Sequence, residues 1–120
     1  MSRALAVFTV SYAGVRLKVR VLPSAKAVYT EYSNGAQWRA RANLPMGFFL
    51  ATPNTKFTGV VVLAGNMPLE EVVPHEVFHA VMYKRKVVHA EDDEPAAYTI
   101  GVLTARILRK VNSIIDRGVK

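Results

Sequence analysis

The chain has 120 residues, no cysteine and a formal net charge of +7 at pH 7. That length supports one modest core and a single domain spanning residues 1–120, and the lack of cysteine excludes disulfides and thiolate metal ligands. No apolar run nears the roughly 20 residues that a membrane-spanning helix needs, so neither a membrane span nor a membrane partner is expected.

In chain order, the opening MSRALAVFTVSYAG is short and weakly basic. It resembles a secretory leader only loosely, and a cytoplasmic protein is the expectation. Ala4 to Tyr12 is apolar and β-branched, and Val15, Leu17, Val19 and Val21 alternate with Arg16, Lys18 and Arg20. This predicts two strands turned at Tyr12-Ala13-Gly14, the second with one apolar and one basic face. Ala27 to Tyr32 and Gln37 to Ala42 flank Ser33-Asn34-Gly35, which predicts a second hairpin. Met46 to Thr52, between Pro45 and Pro53, is a short strand or a loop. Phe57 to Ala64 is a valine-rich strand.

From residue 66 the pattern turns helical, dividing a strand-rich part (1–65) from a helical part (66–120). Asn66 is a candidate N-cap, Pro68 fits a first turn, and Glu70 and Glu71 suit the positive end of a helix dipole. Pro74 predicts either a bend or a helix that begins there. Asp92 or Asp93 can cap a second helix with Pro95 in its first turn, running to about Asp116 or Arg117 and closed by Gly118. The expected fold is α+β: an N-terminal, antiparallel-rich sheet packed by two C-terminal helices.

Charge is unevenly placed. Residues 1–69 hold eight Lys/Arg against one acid, Glu31, whereas seven of the nine acids lie between Glu70 and Glu94. Those acids surround His75, Glu76 and His79, in the order H-E-x-x-H. Residues four apart share a helical face, so both imidazoles can reach one metal ion, and Glu76 is offset by about 100° from His75. That spacing suits two zinc ligands and a base able to reach an activated water. The alternative is a solvated helix whose His and Glu pair with Lys84 and Arg85. Val77, Phe78 and Val81 form an apolar face of the same helix, leaving the histidine face free.

Catalytic zinc takes a third protein ligand and keeps one open position. Candidates are His89, Glu91, Asp92, Asp93 and Glu94. Glu94 projects onto a stripe with Tyr98, Gly101 and Ala105, small enough to let another helix approach. Ile100, Leu103, Ile107, Val111 and Ile114 form a separate stripe for the core. Tyr83 and Tyr98 project near the metal, where either phenol could donate to an oxyanion.

HEVFHA followed by EDDEPAAYTIGVL resembles the minimal gluzincins encoded by phages and prophages, over roughly Val72 to Leu103. More distantly the chain is similar to small metallopeptidases that cleave phage repressors and stress regulators. The resemblance implies a minimal zincin-like architecture and a zinc metallopeptidase working on peptides or proteins in the host cytoplasm. It implies that His75, His79 and Glu94 hold zinc while Glu76 is the base. His89-Ala90 is similar to the SprT-like proteases, whose third ligand is a downstream histidine, so His89 is the alternative.

Three functions follow as expectations. The first is an endopeptidase binding an extended chain along a sheet edge, with Phe57 to Ala64 as candidate edge. The second is a nucleic-acid-associated protein using a basic face of Arg16, Lys18, Arg20, Arg39 and Arg41, with Tyr32 and Trp38 interleaved. The same face reads more simply as a solvated surface that keeps a small protein soluble, or as one that steers an acidic protein substrate. The third is an inactive phage structural or interaction protein.

Overall fold

The computed structural model describes residues 4–35, 46–53, 55–86 and 94–118. Strand β1 (Ala6–Tyr12) pairs antiparallel with β2 (Val15–Leu22), from Ala6 opposite Val21 to Tyr12 opposite Val15. Ala13 and Gly14 both take positive φ, 52° and 84°, the two-residue turn whose twist matches that of the flanking strands. The alternation along β2 holds: Val15, Leu17, Val19 and Val21 are buried, and Arg16 and Lys18 are exposed.

The expected second hairpin is not formed. Ala27 to Tyr32 lies in helix α1 (Ala25–Gly35), which ends on Asn34-Gly35. The cause is local and tertiary together. Ser24 caps the helix, its Oγ accepting from the Ala27 N–H at 3.2 Å. Val28 then seats among Leu22, Val62 and Ala64, and Glu31 pairs with Arg20 of β2. The proposed partner arm Gln37 to Ala42, with Trp38, Arg39 and Arg41, lies outside the described residues.

Strand β3 (Gly47–Ala51) occupies the stretch between the two prolines and pairs antiparallel with β4 (Gly59–Ala64). β4 pairs parallel with β2, from Leu17 opposite Gly59 to Leu22 opposite Ala64. The sheet order is β1-β2-β4-β3. A parallel β2–β4 pair requires a crossover connection, and α1 lies on that crossover. The sheet is therefore mixed, with two antiparallel pairs flanking one parallel pair, and the fold is α+β.

This order corrects one expectation. The valine-rich strand is central, flanked by β2 and β3, so it is not the edge that a peptide could join. Its near-continuous burial fits that position. Among the described residues the edge strands are β1 and β3.

Helix α2 (Leu69–Arg85) and helix α3 (Glu94–Gly118) cover the face opposite α1. The main core joins Val15, Leu17, Val19, Val61 and Leu63 of the sheet to Val73, Val77, Leu103 and Ile107 of the helices. α2 lies over β3 and β4, whereas α3 lies over β1, and the two helices pack together. α2 begins one residue after an extended Pro68, so Asn66 is not its cap. It runs unbroken through Pro74, whose missing N–H leaves the Glu70 carbonyl on an exposed turn. It ends at Lys86 in left-handed conformation, whose N–H donates to the Met82 carbonyl. No helix among the described residues is long and apolar enough to cross a membrane.

Candidate metal centre

Leu69, Val72, Val73, Val77, Ala80 and Val81 bury one side of α2 against the sheet and α3. Seating those residues sends His75 and His79 outward, and both are exposed. Their Nε2 atoms stand 3.2 Å apart, with ring planes at 88° and centroids 4.7 Å apart. Two imidazole nitrogens bound to one zinc at about 2.0–2.1 Å in a tetrahedron lie about 3.3–3.4 Å from each other. The pair thus already has the separation that a shared zinc ion demands. The same short distance also allows a hydrogen bond from one neutral ring to the other in the absence of metal.

Glu76 behaves differently from both neighbours. Its side chain turns inward, leaving 7 % of the residue exposed. Burial raises its carboxyl above the ordinary range, and the charge of His75 draws it part of the way back. Burial and then His75 lower the pKa of the His79 imidazole. A neutral His79 is the ligand form at neutral pH, and a carboxyl lifted toward neutrality suits proton transfer. This burial was not legible as such in H-E-x-x-H. The signal that could have revealed it is the run of apolar residues at 72, 73, 77, 80 and 81, whose arc includes position 76.

Phe78, which the sequence reading placed on the apolar face with Val77 and Val81, lies outside the buried face. It is 37 % exposed, and its ring meets His79 edge-on at 5.8 Å. The histidine face is therefore flanked by an exposed aromatic ring.

The third ligand is where sequence and structure part. Among the described residues, no three His, Asp or Glu side chains converge on a point that could hold a metal. Glu94, at the start of α3, is exposed and forms no such cluster with His75 and His79. The stripe that was to aim it at α2 faces outward instead: Tyr98, Gly101 and Ala105 are exposed, and a Cβ on Gly101 would touch nothing within 4 Å. Ala96, Leu103, Ile107 and Val111 form the buried side of α3, and Thr99 beside them donates to the Pro95 carbonyl at 2.8 Å. Burying that side turns Glu94 to solvent. His89, Glu91, Asp92 and Asp93 lie outside the described residues.

The two tyrosines are held at opposite edges of the sheet. Tyr83 packs on Phe49 of β3, centroids 5.8 Å apart, and Tyr98 packs on Tyr12 of β1, centroids 6.0 Å apart. β1 and β3 are separated by three inter-strand steps, about 14 Å. They cannot both attend one metal ion. Tyr83 follows His79 by one turn on α2 and stands on its side of the molecule; Tyr98 is engaged at the far edge.

The donor set fits a metal in part: two imidazoles at the right separation, with a buried carboxylate next to them. Compared with family models, with curated proteins and with solved structures, the chain matches none.

Proposed function

We propose that this chain is a zinc-dependent peptidase in which His75 and His79 hold the metal and Glu76 moves the proton. The observation that carries the reading is the 3.2 Å separation of the two Nε2 atoms with the Glu76 carboxyl buried beside them. Glu94 makes no cluster with the two histidines, so the third ligand of this reading is sought among His89, Glu91, Asp92 and Asp93, which lie outside the described residues. The chemistry that zinc supplies at such a site is Lewis-acid activation of water and polarisation of the scissile carbonyl. Glu76 accepts the proton of the attacking water and delivers it to the leaving amine. Burial raises its pKa above the ordinary carboxylate range, which makes it a stronger base for the first transfer.

The substrate, a peptide or an unfolded protein segment, lies extended along the outer edge of β3. That strand is an edge, it packs under α2, and Phe49 on it touches Tyr83. Backbone hydrogen bonds to β3 fix the chain without demanding a sequence. Phe78, exposed beside His79, offers one apolar contact to a substrate side chain.

The test pairs metal analysis with hydrolysis of a mixed peptide digest. Purified protein should carry about one zinc per chain and cleave, and Glu76→Gln should keep the zinc and lose cleavage. Zinc retained without cleavage in the unaltered protein supports a structural or inactive site. No zinc in either protein ends the metal reading.

A further inference from the structure

A second feature lies on the opposite edge of the molecule from the histidine pair and is independent of the peptidase reading. Arg106, Arg109, Lys110 and Ser113 recur at three- and four-residue spacing on one side of α3. With Val10 of β1 they line a concavity of about 360 Å³. Among the described residues, none of these three cations faces a carboxylate within ion-pair distance. The ion pair of Arg20 with Glu31 is on the other face of the sheet.

The positive charge does not stop at the helix. Arg106 reaches the edge strand, its Nη1 donating to the Ser11 carbonyl at 2.7 Å while its guanidinium lies 5.2 Å from the centre of the Tyr12 ring. Ser11 is opposite Arg16 in the β1–β2 ladder. Arg16 and Lys18 project from the sheet face away from α3, both exposed and gathered over the Phe57 ring at 4.9 and 5.8 Å. Cations thus run from the α3 groove, around the end of β1, to the outer face of β2.

We infer that this track binds the phosphate backbone of nucleic acid, with the α3 groove seating one stretch of it. The distribution selects the ligand. A single phosphate or carboxylate is gripped by donors that converge on one point, whereas these are spread on both sides of a strand edge. A polymer with a repeating negative charge satisfies a spread set, and its affinity comes from counterion release as the cations replace bound salt. A lipid surface would use apolar side chains beside the cations, and the exposed Leu5 and Val7 at the same strand make the vesicle arm of the test necessary. Nucleic acid is favoured by the rings of Tyr12 and Phe57, which lie under guanidinium and ammonium groups, an arrangement that suits stacking of unpaired bases.

The experiment is fluorescence anisotropy on the full chain with a labelled 20-nucleotide single strand, its duplex, and competitor vesicles containing phosphatidylserine. Binding should weaken steeply with salt. The double variant Arg109→Ala, Lys110→Ala alters only exposed side chains; it should lose about tenfold in affinity near 0.1 M salt. Its log–log salt slope should fall by about 1.5, two phosphate contacts' worth. A charge-matched control, Lys26→Ala with Lys84→Ala, should change affinity less than threefold and leave the slope alone. Equal loss in both double variants would mean that only net charge matters and would overturn the proposal. So would absence of binding to either nucleic acid, or binding displaced by the vesicles and not by unlabelled strand. Zinc removal should leave the affinity unchanged, which keeps this result separate from the peptidase reading.

Discussion

His75 and His79 face one another across a single turn of α2, Nε2 to Nε2 at 3.2 Å and with perpendicular rings. Such a pair binds a divalent ion with little rearrangement, so the metal should stabilise the fold. At a zinc concentration one hundred times the Kd, the gain is about 2.7 kcal/mol, roughly 10 °C in Tm for a chain of this size. Thermal melts with zinc and with chelator should differ by that amount. His75→Ala and His79→Ala should each abolish the difference. A zinc-independent melting curve in the unaltered protein would remove the basis for a metal here.

Glu76→Gln separates chemistry from stability. Hydrolysis should fall at least about a hundredfold, since a positioned general base contributes roughly 10²–10⁴. In metal-free protein the same change should stabilise. Burial holds the folded-state pKa above the ordinary 4.5, so the carboxyl favours folding only while protonated. Its contribution is fully present below 4.5 and is lost as pH rises through the raised folded value. The Tm advantage of Glu76→Gln should therefore be seen at pH 7.5 and vanish by about pH 4. Melts of the two metal-free proteins across that range check it.

Gly59 of β4 leaves no room for a side chain against β3. A Cβ there would lie 2.4 Å from the Leu50 carbonyl oxygen and 2.4 Å from the Phe49 ring. Gly59→Ala should cost about 1–3 kcal/mol, as overpacking of a buried site does. If β3 is the edge that receives substrate, KM should rise more than kcat falls. Denaturant unfolding and steady-state kinetics measure the two effects; an unchanged KM would take substrate binding away from β3.

Arg20 and Glu31 tie α1 to the sheet through a partly exposed ion pair. Solvent screens such a pair, so Glu31→Gln should cost under about 1 kcal/mol. Val28 is fully buried at the same junction, and Val28→Ala should cost more than the loss of the charge. A double-mutant cycle with Arg20→Ala isolates the ionic part. A coupling larger than that of Val28 packing would mean that the charge, not the apolar contact, holds the helix.

What the sequence determined by itself is whatever depends on near neighbours along the chain. The alternation of β2, the Ala13-Gly14 turn, the shared face of His75 and His79, and the stripe of Leu103, Ile107 and Val111 on α3 are set by periods of two and 3.6 residues. Only the tertiary structure decided what those elements meet. Asn34-Gly35 suits a hairpin turn and a helix end equally, and the seat for Val28 formed by Leu22, Val62 and Ala64 selected the helix. Strand order, which made β3 an edge and β4 central, follows from a parallel pairing across 42 residues at Leu17 and Gly59. Burial of Glu76, exposure of Phe78 and the outward turn of Glu94 likewise depend on which side of each helix the sheet covers. Periodicity places Glu76 inside the apolar arc of α2 and Glu94 opposite the buried side of α3, but the chemistry expected of both residues pointed the other way, and packing against the sheet followed the periodicity.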